Sequence, residues 1–183
     1  MENNEFIFIH VTYTPERIKK IFKDGNIKSG DQLKKEERMF SGGEPQKYIF
    51  THLITKNNID YVGKDFADFG IVIKPDILKH KTMYFNQFWG GSPNIDAIVT
   101  SPTDTVDVRL KKLNKINMLI KNPKQRMSIW YMNNEALFNK NIDIKYIYAI
   151  VVAKKYTDEV KKIIPKDVKI YHNYIDAFNN INK

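Results

Sequence analysis

Short unbroken apolar runs alternate along this chain with polar stretches rich in Asn, Lys and Gly. The runs are mostly four to eight residues long, a length that favours strands over helices. Phe6-Ile7-Phe8-Ile9 has no polar alternation, so Glu5–Val11 is expected as a strand buried on both faces. His10-Val11-Thr12 ends it. Thr14 then suits a helix N-cap, with Pro15 at the first helical position and Ile18, Ile21 and Phe22 on one face. Gly25 supplies the left-handed residue that stops such a helix. Asn26–Gln46 is polar and broken by Gly30, Gly42, Gly43 and Pro45, which predicts a loop with a short helix near Leu33–Arg38. Strands are expected again at Lys47–Ile54, at Phe69–Lys74 (stopped by Pro75) and at Thr82–Asn86.

The second half carries the one long helical pattern. Ser101-Pro102-Thr103-Asp104 reads as its start, Val106, Leu110, Leu113, Ile116 and Ile120 as its apolar stripe, and Pro123 as its end. Gly90-Gly91-Ser92-Pro93 ahead of it marks an exposed loop, and Arg126–Tyr131 after it reads as a strand. In Met132–Val152 an acid, Glu135, heads the apolar run Ala136-Leu137-Phe138; a turn at Asn139-Lys140-Asn141 leads to Ile142-Asp143-Ile144 and a long apolar run, Tyr146–Val152. Two short strands joined by a turn account for that pattern. A helix over Asp158–Ile164, a strand at Val168–Tyr171 and a helix at Tyr174–Ile181 complete the series. The fold class is therefore α+β, with a mixed, largely antiparallel sheet and helices packed around it. Without a linker or repeat, 1–183 reads as a single domain.

Composition changes this picture little. A chain of 183 residues, 42% hydrophobic and 13% aromatic, can bury a sizeable core. No run is long enough to span a bilayer, and the N-terminus has no basic region before Phe6–Ile9, so no membrane partner is expected. The absence of Cys excludes disulfides and thiolate chemistry, and the expected setting is soluble and cytoplasmic. Net charge of +9 makes nucleic acid the first candidate partner. The weight of Lys, Asn and Ile has a competing explanation in an AT-rich coding sequence.

Candidate chemistry rests on few residues. His10, at the end of a buried strand, can offer a ring edge to a hydroxyl near neutral pH. Glu135, at the lip of a strand, can present an acid from a rigid platform. His10, His52, His80 and His172 are scattered and lack paired spacing, so no metal is expected. Gly42-Gly43 and Gly90-Gly91 match no phosphate-binding fingerprint and read as turns. Lys111, Lys112, Lys115 and Lys121 line the polar side of the long helix, where they are solvated or track a phosphate backbone.

The stretch IHVTYTPERIKKIFKDGNIKSG resembles the opening of the ADP-ribosyltransferase superfamily, in which a His-x-Thr-type strand end meets the dinucleotide and a helix ending in Gly follows. KYIFTHLI and FGIVIKPDILKHKTMYFN are similar to the strands that come next, and NNEALFNKNIDIKYIYAIVV resembles the closing acid-bearing motif. The resemblance spans Phe6–Val152 and is nearest to the toxin-like members that modify DNA bases. It implies a split sheet and NAD as substrate. It assigns Glu135 as catalytic acid, His10 and Thr12 to the nicotinamide side, and a stacking aromatic among Tyr48, Tyr84 and Phe85. His10 and Glu135 are then expected in one pocket on adjacent central strands. In the first loop it points to Arg38 as a phosphate or base contact. Asn133 stands two residues before the acid, where arginine-modifying members carry Glu or Gln, which leaves nucleic acid open as acceptor. Two alternatives remain: a non-catalytic module of the same fold binding nucleic acid or a host factor, and an enzyme like the RNA 2′-phosphotransferases.

Overall fold

The computed structural model describes residues 5–38, 44–59, 69–86, 92–121 and 134–181. Its centre is β1 (Phe6–Thr12), flanked by β4 (Phe69–Ile73) and β3 (Tyr48–Thr55). With β5 (Met83–Asn86), β6 (Ile98–Thr100), β7 (Glu135–Asn139), β9 (Ile147–Val152) and β10 (Lys169–Tyr171), they form an eight-stranded sheet. Its order is β10-β9-β4-β1-β3-β7-β5-β6. Only β10–β9 is parallel; the other neighbours run antiparallel. A two-stranded ladder of β2 (Asn26–Ile27) and β8 (Ile142–Asp143) sits apart from it. The architecture is the expected mixed, largely antiparallel α+β fold.

The unbroken run at β1 is explained by two cores. Phe6 and Phe8 enter one apolar cluster and Ile7 and Ile9 the other, all fully buried. A central strand with both faces packed has no need of a polar alternate. Phe8 also meets Phe138 edge-on at 5.1 Å, a geometry that aromatic quadrupoles favour.

Helix α1 (Pro15–Asp24) follows its sequence signals. Thr14 accepts from the Arg17 amide, Pro15 opens the first turn, and Gly25 ends the helix at φ 74°. Helix α2 (Val106–Lys121) departs from them. Ser101–Asp104 closes as a turn of its own, the Ser101 amide donating to the Asp104 carboxylate at 2.8 Å. The cap falls to Thr105, whose hydroxyl accepts from the Val108 amide at 3.3 Å. Of the expected stripe, Leu113, Ile116 and Ile120 are buried, whereas Val106 is exposed. Helices α3 (Thr157–Lys161) and α4 (Tyr174–Ile181) complete the set. Tyr174 lies so close over Gly70 that a Cβ there would stand 2.0 Å from its hydroxyl oxygen, so α4 reaches the sheet only because β4 carries a glycine.

The two strands expected in Met132–Val152 both form, but they are not neighbours. After Asn139 the chain turns through Lys140 at φ 63°, makes β8, and crosses the sheet to place β9 beside β4. Strands β6, β8 and the short β2 lacked any distinctive pattern in sequence. Pro123, Gly90, Gly91, Asn133 and the strand expected at Arg126–Tyr131 lie outside the described residues.

Candidate active site

The seam between β1 and β3 is incomplete. Residues pair from Phe6↔Thr55 to Ile9↔His52 and no further. Beyond that point β1 continues against β4 as far as Thr12↔Phe69, and β3 runs back along β7 as far as Tyr48↔Asn139. The sheet is therefore parted between His10–Thr12 and Tyr48–Thr51. His10 is the residue at the fork. Its Nδ1 lies 2.8 Å from the carbonyl oxygen of Phe50. A carbonyl can only accept, so Nδ1 carries the proton and Nε2 of the neutral ring is left as an acceptor. The imidazole thus takes the place of a backbone ladder bond.

A cavity of about 510 Å³ occupies the parting, in the range of small-molecule sites. His10, Thr12, Tyr48, Phe50 and His52 line it, and α1 closes one side with Arg17, Lys20 and Asp24. Thr12 is buried, and its hydroxyl has no hydrogen-bond partner among the described residues. A buried hydroxyl left unpaired is costly unless something occupies the space beside it. Lys20 and Lys28 both pair with Asp24, at 3.2 and 2.8 Å, and hold its carboxyl below the usual carboxylate range, the Lys28 hydrogen bond foremost. Arg17 makes no ion pair among the described residues, yet its charge reaches His10.

Glu135 begins β7 and is 3% exposed, not partly solvated as its sequence position suggests. Cross-strand register sets it level with His52 on one side and Asn86 on the other. Tyr48 and Tyr84 share that face by alternation and meet edge to face at 5.8 Å. Asn86 Nδ2 donates to Glu135 Oε2 at 2.6 Å. One face of β3, β7 and β5 therefore gathers Tyr48, His52, Glu135, Tyr84 and Asn86. His10 and Glu135 are not on adjacent strands as expected, because β3 lies between them, and Glu135 does not line the cavity itself. Along β1, His10 alternates with Phe6 and Phe8, on the face away from Glu135. The two are linked through His52, which lines the cavity and pairs in register with Glu135.

Both histidines are held below the usual imidazole range, chiefly by burial, so both are neutral at pH 7. For His10 the Phe50 carbonyl opposes that shift and Arg17 adds to it. For His52 a contact from Nδ1 to Asn134 Oδ1 at 3.4 Å opposes it.

Other expected residues are placed differently. Phe85 points into the core, 1% exposed, and cannot stack on a ligand in the cavity. Arg38 donates to the Leu33 carbonyl at 3.0 Å and to Gln46 at 2.9 Å. Asn133 lies outside the described residues. Sequence reading missed His52 and Asn86. His52 alternates with Tyr48 and Phe50 on an expected strand, a signal that was there to be read. Asn86 closes a strand with nothing in its neighbours to set it apart. Among the described residues, no cluster of three or more His, Cys, Asp or Glu could hold a metal ion. No helix among them is long and apolar enough to cross a membrane.

Comparison with solved structures shows the fold. DarT from Thermus sp. 2.9 in complex with carba-NAD+ superposes with a TM-score of 0.61 at 13% identity, covering 94% of this chain and 97% of that one. The same protein in complex with ADP-ribosylated single-stranded DNA gives 0.59 at 12%, covering 92% and 94%. Thermosipho africanus DarTG in complex with ADP-ribose gives 0.53 at 11%, covering 91% of this chain and 49% of that one. The fold is ADP-ribosyltransferase-like. By sequence, the chain belongs to the family of unknown function DUF5846, whose model matches residues 3–123. It is also 28% identical over 145 residues to uncharacterized protein R11 of Acanthamoeba polyphaga mimivirus. That match covers 77% of this chain, which spans about half (52%) of the viral protein.

Proposed function

We propose that the protein is an NAD-consuming ADP-ribosyltransferase whose nicotinamide–ribose site is the parting between β1 and β3. The observation that carries this reading is the parting itself, where His10, Thr12, Tyr48 and His52 line one cavity and His52 pairs in register with the buried Glu135. The complexes of the DarT neighbours with carba-NAD+ and with ADP-ribose support it. So do a cavity of about 510 Å³ and the unpaired Thr12 hydroxyl, which fit a polar ligand of dinucleotide type.

In this reading Nε2 of His10 accepts from a ribose hydroxyl, the Thr12 hydroxyl meets the nicotinamide amide, and Tyr48 or Tyr84 stacks on the ring. Arg17, free of ion pairs among the described residues, faces the pyrophosphate. Glu135, which stands beside His52 on the other face of the sheet, supplies the negative charge that stabilises the positive charge developing at the anomeric carbon as the glycosidic bond breaks. The bonding pair leaves with nicotinamide, the acceptor bonds to the anomeric carbon, and its proton passes to the carboxylate or to water.

Nucleic acid is the proposed acceptor, on the strength of the net charge of +9 and the DarT complex with ADP-ribosylated single-stranded DNA. Asn133, where arginine-modifying members of the superfamily carry Glu or Gln, points away from arginine. Release of nicotinamide from NAD by the purified protein, with and without single-stranded DNA, tests the reading. No release under either condition would leave a binding module on the same fold. Acceptor binding should weaken steeply with added salt.

A further inference from the structure

The amide of Asn86 is tethered on three sides beside the proposed acid. Asn86 is fully buried at the end of β5, directly opposite Glu135 in the β5–β7 register. Its Nδ2 donates to Glu135 Oε2 at 2.6 Å and to the Ser92 carbonyl at 2.8 Å. Its Oδ1 accepts from the Asn94 amide at 3.0 Å. Two donors and one acceptor fix the amide in a single orientation. Flipping it would set Oδ1 against a carboxylate and a carbonyl, and Nδ2 against an N–H.

Such an arrangement does two things at once. It gives a buried carboxyl group a donor held in place from two other sides, which favours one rotamer. It also ties the backbone at Ser92 and Asn94 to that carboxylate through one side chain. Bulk packing does not call for an amide here, since the neighbouring strand residues Phe85 and Ala136 are apolar and enter the main core.

We infer that Asn86 is the positioning residue of this site, aiming the Glu135 carboxylate and locking it to the 92–94 backbone. The inference rests on the transferase reading for its functional meaning, but the locked pair itself can be tested without turnover.

The experiment has two arms. In the first, side-chain amide exchange is followed by NMR in the full chain. The Asn86 amide protons should be strongly protected in the wild type, and Glu135→Ala should remove at least a tenfold share of that protection while Glu135→Gln retains most of it. Fast exchange in the wild type, or no change in Glu135→Ala, would overturn the inference whatever the activity proves to be. In the second arm, nicotinamide release is measured for Asn86→Ala and Asn86→Asp. Positioning predicts kcat lower by about 10- to 100-fold in Asn86→Ala, with KM for NAD within about threefold. In Asn86→Asp two carboxyls 2.6 Å apart must share a proton. Its turnover should therefore fall as pH rises through a range where the wild type is flat. A parallel loss in KM and kcat with an unchanged pH profile would mean that Asn86 only supports the fold. If the wild type releases no nicotinamide, the transferase reading fails and the exchange arm alone decides the pairing.

Discussion

The two halves of the sheet use the same ladder to different ends. On one side of the β1–β3 seam, β4 is Phe-Gly-Ile-Val-Ile, buried along its whole length, and β9 is almost as apolar. On the other side, β3 and β7 pack the α1-side core through Ile49, Leu53, Ala136 and Phe138, but turn Tyr48, His52 and Glu135 to the opposite face. The first half is apolar on both faces; the second mixes Leu137 and Ile54 with Tyr48, His52 and Glu135 on one of them. Tyr48, His52 and Glu135 collect on that face, next to the place where pairing stops, while His10 and Thr12 take the other. In the proposed reading the apolar half supplies rigidity and the mixed half supplies reactivity.

Substitutions can break that division. Phe8→Ala removes a fully buried ring from the apolar half and should cost about 3–5 kcal/mol of unfolding free energy, read from urea denaturation. If it costs under about 1 kcal/mol, the seam is not the rigid part. Glu135→Gln should act in the opposite sense, lowering nicotinamide release by about 100- to 1,000-fold. Its stability should stay within about 1 kcal/mol of the wild type, because a glutamine oxygen still accepts from Asn86. Wild-type turnover in that variant would remove Glu135 from the chemistry.

Acid sharpens the comparison further. Both His10 and His52 have folded pKa values below 6.5 through burial, so the unfolded chain binds protons first as pH falls. Their contribution to stability is full above about pH 6.5 and is lost as pH falls from there through the lowered folded values. Double replacement by Asn should flatten the dependence of melting temperature on pH in that window. A slope unchanged in the double variant would place the linkage elsewhere. The smallest effect is expected far from the parting. Thr14→Ala removes the cap of α1 and should cost about 1 kcal/mol in thermal unfolding, with release of nicotinamide nearly intact.

Much of this was legible before any coordinates. The cap, first-turn Pro and terminal Gly of α1 act through local torsions and neighbouring hydrogen bonds, so six marked positions in sequence were enough to bound it. Strand β1 announced itself because a four-residue apolar run has no other economical use. What stayed hidden depends on non-local register. Nothing near Asn86 or His52 says that they flank Glu135, because that adjacency is made by strands 49 and 83 residues apart along the chain. The helix start at Ser101 misled for a related reason. A capping sequence also satisfies a tight turn, and only the path of the chain out of β6 decides between them.

The position of His10 has a consequence for size. Four residue pairs close the seam, and three residues of β1, His10 to Thr12, run on beyond it. At roughly 3.3 Å per residue the notch is about 10 Å deep. That is the span of one ring and one sugar, not of a whole dinucleotide. The remainder of a longer ligand would have to lie outside the notch, along the first turns of α1, where Arg17 and Lys20 stand. Depth is thus set by a count along one strand. Moving the histidine two positions toward Phe6 would lengthen the notch by about 7 Å and remove half of the pairs that hold the two halves together.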